Sequence, residues 1–294
     1  MCSSDLSGMV GEFPELQGIM GRYYALQANE DADVAYAIEQ HYWPKGGGAE
    51  LPTNSVAQSV ALADKFDTLT GIFYAGMIPT GDKDPFALRR AALGIVRIAV
   101  ESELAIDIDY WVRAALALHN PVVNNELVAQ IVDFVMARFK GYAVETGVKP
   151  EWFEAVRVVA SAQPLDMWRR LQAVERFVQL PEAEALAAAN KRIGNILKKS
   201  PSSNAVVNTA LLQAGAEQQL WLALCDIEVE AQAAFAQGHY AQVLQTLSAL
   251  REPADAFFAD VMVNVEDEAL RNNRLALLAG AHQLMSLVAD IGQL

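Results

Sequence analysis

The sequence predicts an all-α fold, and three observations support this class. Apolar residues recur at spacings of three and four, as one buried face of a helix requires. In the first part of the chain this period runs through Val56, Val60, Ala63, Phe66 and Leu69. Alternating runs between hairpin dipeptides, which would predict strands, are missing from the sequence. The 294 residues are 53% apolar and 20% charged, a composition typical of globular chains with sizeable cores.

Clusters of proline, glycine and serine divide the predicted helices. They lie at residues 44–48, 79–82, 147–150 and 201–203. A chain of this length has room for two domains of about 100–200 residues each. The charge balance also changes near the third cluster. We therefore predict a linking helical region over 1–160 and a second helical domain over 161–294.

A helix start is predicted directly after the second cluster. Asp84 can cap a helix by accepting from a free amide, and Pro85 suits the first helical position because its missing N–H has no partner there. Arg90 and Arg97 are seven residues apart and therefore share one face of this helix. That face is either a ridge that contacts phosphates or a solvated surface with salt bridges.

The net charge of −14 argues at first against a nucleic-acid partner. Its distribution along the chain is uneven, however. Residues 157–200 carry eight basic side chains and four acidic ones, in a chain that is otherwise strongly acidic. If the protein contacts a phosphate backbone, this window is where the sequence places the contact.

The helix predicted over 183–199 carries the strongest signal for a partner. Its polar side chains form one basic stripe, made of Lys191, Arg192, Asn195, Lys198 and Lys199. The apolar side chains belong largely to the opposite side: Leu186, Ile193, Ile196 and Leu197. Lysine and arginine attract phosphates, and asparagine can read a base edge. The stripe is therefore either an RNA-binding surface or an ordinary solvated face.

A second candidate surface opens the last long helix. Arg271, Asn272 and Arg274 follow the acidic run at 266–268, and acids suit the N-terminus of a helix. The two arginines are one helical turn apart. They form either a second RNA contact or ion pairs with the preceding acids.

The sequence predicts no catalytic or metal-binding residues. None of the four histidines precedes an aspartate, and the glycines at 46–48 lack the Lys-Ser/Thr that a phosphate-binding loop requires. Cys2 and Cys225 have no disulfide or metal-ligand spacing and suit a reducing compartment. We predict that Cys225, with its apolar neighbours, is a small buried hydrophobe. No apolar run reaches the ~18 residues of a membrane span, so we expect a cytoplasmic protein without a membrane partner.

Several stretches of uncommon sequence allow the chain to be compared with known families. They are MVGEFPELQGIMG at 9–21, ALADKFDTL at 61–69, PTGDKDPFALRR at 79–90, ANKRIGNIL at 189–197, and DVMVNV with LRNNRL within 260–275. In this order they resemble the β subunits of bacterial glycyl-tRNA synthetase. Family members continue for several hundred residues before this region, and residues 1–6 depart from the family pattern. We therefore expect the C-terminal part of a β subunit, with a start that reflects a truncated gene model.

The resemblance implies a fold and a function. The early part is similar to an HD-type helical domain, incomplete here, and the late part to a helical, DALR-like anticodon-binding domain. In this family the α subunit activates glycine with ATP and Mg²⁺, while the β subunit contacts tRNA(Gly) and joins α in an α₂β₂ assembly. The implied function is a tRNA-binding fragment of a glycine–tRNA ligase that binds no cofactor itself, has no adenylation site and does not bind DNA.

Two other functions stay open at this point. A non-catalytic helical scaffold for other proteins fits the acidic, alanine-rich composition. A metal-dependent phosphohydrolase would fit an HD-type domain, with Asp64 and Asp67 one turn apart, but the sequence lacks the His-Asp ligand pair. Binding of tRNA distinguishes the first alternative, and a bound metal the second.

Overall fold

The prediction of an all-α fold is confirmed by the computed structural model, which describes residues 8–79, 83–200 and 206–294. Within these ranges the elements are α-helices and short 3₁₀ turns, without a strand. Residues 1–6, 80–82 and 201–203, which entered the predictions above, lie outside the described residues. The described chain divides into two compact units.

The first unit runs up to Tyr142 and also includes Ala162–Leu165. Helix α4 is its centre, because α3, α5 and α6 all pack against it. Side chains of Asp31, Asn54 and Asp107 cap the N-termini of α3, α4 and α6 by accepting from backbone amides. The helices are α1 (Gly8–Glu12), α2 (Ile19–Gln27), α3 (Ala32–Gln40), α4 (Ser55–Tyr74), α5 (Leu88–Glu101), α6 (Ile108–His119) and α7 (Asn125–Glu145).

The predicted start of α5 was wrong by a few residues. Asp84 does cap the helix, because its carboxylate accepts from the amides of Leu88 and Arg89 at 2.9 Å each. The helix begins only at Leu88, however, since Ala87 takes a left-handed conformation with φ 54° and so interrupts the helical backbone after Pro85.

Of the two alternatives for the face of α5 that carries Arg90 and Arg97, the structure supports the salt-bridged one at Arg97. This side chain is buried, and its guanidinium donates to both carboxylate oxygens of Glu101, at 2.7 and 3.1 Å. It also donates to the Gly46 carbonyl at 3.0 Å. Arg97 therefore ties the loop between α3 and α4 to α5, while Arg90 remains exposed on the surface.

The second unit comprises Ala143–Ser161 and Asp166–Leu294. Residues 143–160, which the sequence assigned to the first region, group with it. Helix α10 packs against α13, α14 and the final 3₁₀ turn Ile291–Gln293, and α11 packs against α12, α13 and α14. The helices are α8 (Pro150–Arg157), α9 (Pro164–Phe177), α10 (Ala183–Lys198), α11 (Ala216–Ala236), α12 (Tyr240–Leu247), α13 (Arg251–Asp260) and α14 (Glu268–Met285).

One arginine of the basic window is part of the core of this second unit. Arg170 is 7% exposed and donates to the Asp166 carboxylate at 2.8 Å and to the Leu287 carbonyl at 2.9 Å. Its guanidinium carbon lies 5.0 Å from the centroid of the Phe235 ring and 4.9 Å from the centroid of the Tyr240 ring. The charge of this side chain therefore stabilises the fold and is not available to a partner.

Candidate nucleic-acid interface

Helix α10 has one buried side and one basic side, as predicted. Leu186 and Ile193 are fully buried, whereas Ile196 and Leu197 are only half-buried. The side chains on the other side are all exposed: Lys191, Arg192, Asn195, Lys198 and Lys199. We call these five residues the basic surface. An amphipathic helix held by its apolar side can present such donors without a cost to the core.

Part of the basic surface lines a concavity of about 520 Å³. Lys191, Arg192, Asn195 and Lys199 form one wall, and Asn264, from the segment between α13 and α14, contributes to the lining. Lys198 is not part of this lining. Among the described residues that line the concavity, none carries a carboxylate. Cations and amides without a competing acid are suited to a phosphate and the polar edge of a base.

Arg192 is held in place by an aromatic ring. Its guanidinium carbon lies 4.1 Å from the centroid of Phe258 on α13, a cation–π contact. The contact leaves the guanidinium at the wall of the concavity, where its N–H groups can donate to a partner. The position of Arg192 relative to the concavity is therefore defined by packing.

A buried polar network fixes α10 against the end of the chain. Asn190 is fully buried, and its amide oxygen lies 2.7 Å from Nδ1 of His282 on α14. The Asn190 amide nitrogen donates to the Asp290 carboxylate at 3.4 Å. The backbones of Lys191 and Gly292 also approach each other closely. Any side chain in place of Gly292 would put its Cβ 3.0 Å from the Lys191 backbone nitrogen. This network therefore holds the buried side of α10 in place, and with it the basic surface on the opposite side.

The network predicts a pH dependence of stability. Burial lowers the pKa of His282 below its ordinary value of 6.5, against an opposing effect of the Asp290 carboxylate, and Lys198 lowers it further. The unfolded chain then binds a proton more readily than the folded one as the pH falls below about 6.5. We expect the free energy of unfolding to decrease from pH 7.5 to pH 5.5, and His282→Gln to reduce this decrease.

Urea unfolding at both pH values measures the effect. The matched control is His239→Gln, because His239 is an exposed histidine of the same unit. An identical pH dependence for wild type and His282→Gln would contradict the role of His282.

The second predicted surface, at the start of α14, is corrected at Arg274. This side chain is 5% exposed, and its Nε donates to Oε1 of Glu217 at 2.6 Å. The two terminal nitrogens donate to the Met262 carbonyl at 2.7 Å and to the Gln213 side-chain oxygen at 2.9 Å. Arg274 does pair with an acid, but with Glu217 rather than with residues 266–268. An arginine so enclosed is not available to RNA.

The other two residues of that surface are partly accessible. Arg271 is half-buried and donates to the Val265 carbonyl at 3.0 Å, and Asn272 is also half-buried. Neither lines the concavity beside α10. An RNA contact at Arg271 and Asn272 stays a prediction.

Sequence reasoning missed Asn190 and Asn264. For Asn190 a signal was present, because it lies four residues after Leu186 and three before Ile193, on the apolar side of the helix. A buried asparagine needs hydrogen-bond partners, so its position indicated a network. Asn264 stands in the DVMVNV stretch that resembles the family, but nothing in its local pattern indicated that it approaches α10.

Three further predictions concern chemistry and the membrane. Cys225 was predicted to be buried but is exposed, because it lines an open cleft beside Leu277 and Leu284 of α14. Among the described residues, no group of three or more His, Cys, Asp or Glu side chains has the arrangement of a metal site. No helix in the described ranges is both long and apolar enough to cross a membrane.

Comparisons with known proteins agree with the two-part arrangement. The family described as glycyl-tRNA synthetase beta subunit matches residues 1–158, which is more than half of the chain. The DALR anticodon binding domain matches residues 186–291 and thus includes α10 and α14.

Curated relatives cover the chain from end to end. Three of them are named glycine–tRNA ligase beta subunit. The protein of Methylobacillus flagellatus is 49% identical over 100% of this chain and 42% of its own length, and that of Janthinobacterium sp. (strain Marseille) is 52% identical over 98% of this chain and 41% of its own length. The protein of Pseudomonas aeruginosa is 49% identical over 97% of this chain and 42% of its own length. The chain thus spans about two fifths of the length of these relatives.

Proposed function

This chain belongs to the glycyl-tRNA synthetase β-subunit family, and from that premise we propose that it binds tRNA(Gly) as part of a glycine–tRNA ligase. The second unit makes the contact, at the anticodon. One observation carries the proposal: the basic surface of α10, with its acid-free concavity, lies inside the stretch that matches an anticodon-binding domain.

The electrostatics of the chain support this placement. A net charge of −14 repels RNA from most of the surface, so attraction concentrates where cations cluster without acids. Lys191, Arg192 and Lys199 supply that cluster, and positioned lysine and arginine side chains neutralise phosphates. Asn195 stands between them and can donate to and accept from a base edge.

Catalysis belongs to a partner in this proposal. The relatives are named beta subunits, which implies another kind of subunit. We assign the activation of glycine, with ATP and Mg²⁺, to an α subunit in an α₂β₂ assembly in the cytoplasm. We place neither an adenylation site nor a metal-dependent active site in this chain, since its sequence has no phosphate-binding glycine loop and no His-Asp pair.

A scaffold for other proteins is the second candidate, and one observation favours it. An apolar cleft of about 650 Å³ lies between α4 and α6 in the first unit, with Phe66, Trp111 and Leu118 in its lining. Leu118 is 81% exposed. Exposed apolar clefts are typical of protein-binding surfaces, but a scaffold of this kind has no reason to prefer tRNA.

The experiment compares the purified chain with and without the α subunit. We expect the chain alone to bind tRNA(Gly) more tightly than heparin of equal charge, because a defined concavity discriminates where diffuse attraction does not. We also expect glycine-dependent pyrophosphate exchange only after the α subunit is added. Equal affinity for tRNA(Gly) and heparin, or exchange by the chain alone, would contradict the proposal.

A further inference from the structure

A cavity of about 340 Å³ in the first unit is not used by the proposed function. Three of the sequence stretches that resemble the family converge on it, although they are far apart along the chain. The stretch at 9–21 contributes Glu15, the stretch at 61–69 contributes Lys65, and the stretch at 79–90 contributes Arg90. The cavity thus brings together side chains of both charges from three separate stretches of the chain.

Lys65 is the unusual group in this cavity. Lys65 is only 5% exposed, and its ammonium group donates to the His41 carbonyl at 3.0 Å. The aliphatic part passes α5 at Gly94, where a Cβ would lie 2.7 Å from Cε of Lys65. Burial lowers the pKa of Lys65 to about 8, although neighbouring Asp64 opposes this effect. The His41 carbonyl and the Asp64 carboxylate offset only part of the cost of burying this cation, and an anion bound in the cavity would offset more of it.

The other lining side chains specify what kind of anion fits. Lys45 and Arg90 are exposed at the cavity and add two cations to that of Lys65. The carboxylates of Glu15 and Asp64 accept hydrogen bonds from hydroxyl or amino groups. Phe86 is 42% exposed and offers a ring on which a planar group can stack. The volume is within the range of small-molecule sites, about 300–1,000 Å³.

We propose that this cavity binds one nucleotide unit, with its phosphate on Lys45, Lys65 and Arg90 and its base against Phe86. Glu15 and Asp64 then accept from the ribose hydroxyls or from an exocyclic amine. The nucleotide is either a free mononucleotide or a nucleotide of an RNA strand, since both present the same groups. The site lies in the first unit and is independent of the anticodon contact proposed for the second.

The first test measures the binding of AMP and of inorganic phosphate to the full 294-residue chain by calorimetry. We expect saturable AMP binding that Arg90→Gln weakens about tenfold or more, the usual effect of removing a charge-assisted hydrogen bond. Lys83→Gln is the matched control, because it removes one exposed charge of the same unit outside the cavity lining. It should leave AMP binding unchanged.

The second test uses the titration of Lys65. In the protein without a bound ligand, Lys65 loses its proton as the pH rises through its pKa of about 8. The phosphate of AMP stays a dianion over this range, because its second pKa is about 6. AMP should therefore bind about tenfold more weakly at pH 9.5 than at pH 7, and Lys65→Met should remove this difference. The other charged or titratable groups at the cavity are Glu15, Tyr42, Lys45, Asp64 and Arg90. If Lys65→Met fails to fold, the wild-type pH dependence and Arg90→Gln still decide the matter.

Binding of tRNA identifies the source of the nucleotide. If Arg90→Gln weakens tRNA binding and tRNA displaces AMP, the nucleotide belongs to RNA; if AMP binding alone changes, it is a free mononucleotide. Absence of saturable AMP and phosphate binding, together with tRNA binding that is insensitive to Arg90→Gln, would overturn the inference. Weaker tRNA binding in variants of the basic surface tests the proposed function separately, since those variants should leave AMP binding intact.

Discussion

Replacement of Arg274 by alanine is expected to lower the free energy of unfolding by about 3–5 kcal/mol, because it leaves a buried carboxylate without its counter-ion. Glu217 is 1% exposed and has Nε of Arg274 at 2.6 Å. The same substitution removes the donors to the Met262 carbonyl and to Gln213. Urea unfolding followed by circular dichroism measures the decrease.

Two further variants isolate the cause. Arg271→Ala, three residues earlier on the same helix, removes a half-buried arginine whose bond is to a loop carbonyl, and should cost about 1 kcal/mol or less. In the double variant Arg274→Met/Glu217→Leu the uncompensated charge is gone, so stability should recover above that of Arg274→Ala. A decrease for Arg274→Ala no larger than that for Arg271→Ala would contradict the buried ion pair.

Neutralisation of the concavity beside α10 is expected to have the largest effect on tRNA binding. The triple variant Lys191→Gln/Arg192→Gln/Lys199→Gln should weaken binding by roughly tenfold for each phosphate that no longer has a cation beside it. The fold should remain, because the three side chains are exposed. The lysine changes should cost a few tenths of a kcal/mol, and removal of the Arg192 guanidinium from the Phe258 ring about 0.5–1 kcal/mol.

The same helix offers the matched control for this prediction. Lys198→Gln is the same change of charge on an exposed lysine that does not line the concavity. It should weaken tRNA binding less than Lys191→Gln or Lys199→Gln. Equal effects of all three lysines would indicate diffuse attraction along the whole basic surface and would contradict a specific role of the concavity.

Local patterns in the sequence were enough to predict much of the fold. The spacing of Leu186 and Ile193 determined which side of α10 is buried, and the absence of alternating patterns indicated the all-α class. The stretch at 189–197 also carried the resemblance that the family comparisons support. Such signals are local, because they depend on helical periodicity and short motifs.

Long-range packing explains what the sequence did not predict. The sequence analysis offered Arg274 either an RNA contact or the nearby acids, but its partner Glu217 lies on a different helix, 57 residues earlier. Arg97 shares a face with Arg90 and yet is buried, because the loop that contains Gly46 packs over it and its carbonyl accepts from the guanidinium. The exclusion of Lys198 from the concavity likewise depends on where Asn264 approaches α10. None of these contacts has a local sequence signature.

The salt dependence of tRNA(Gly) binding tests most directly whether this chain holds tRNA through α10. If two or three side chains of the concavity reach phosphates, the triple glutamine variant should have a log–log slope of affinity against salt that is smaller than that of wild type by roughly 1.5–3. Asn195→Ala should instead reduce discrimination between anticodons and scarcely change the slope. An unchanged slope and affinity for the correctly folded triple variant would contradict an RNA contact at this surface.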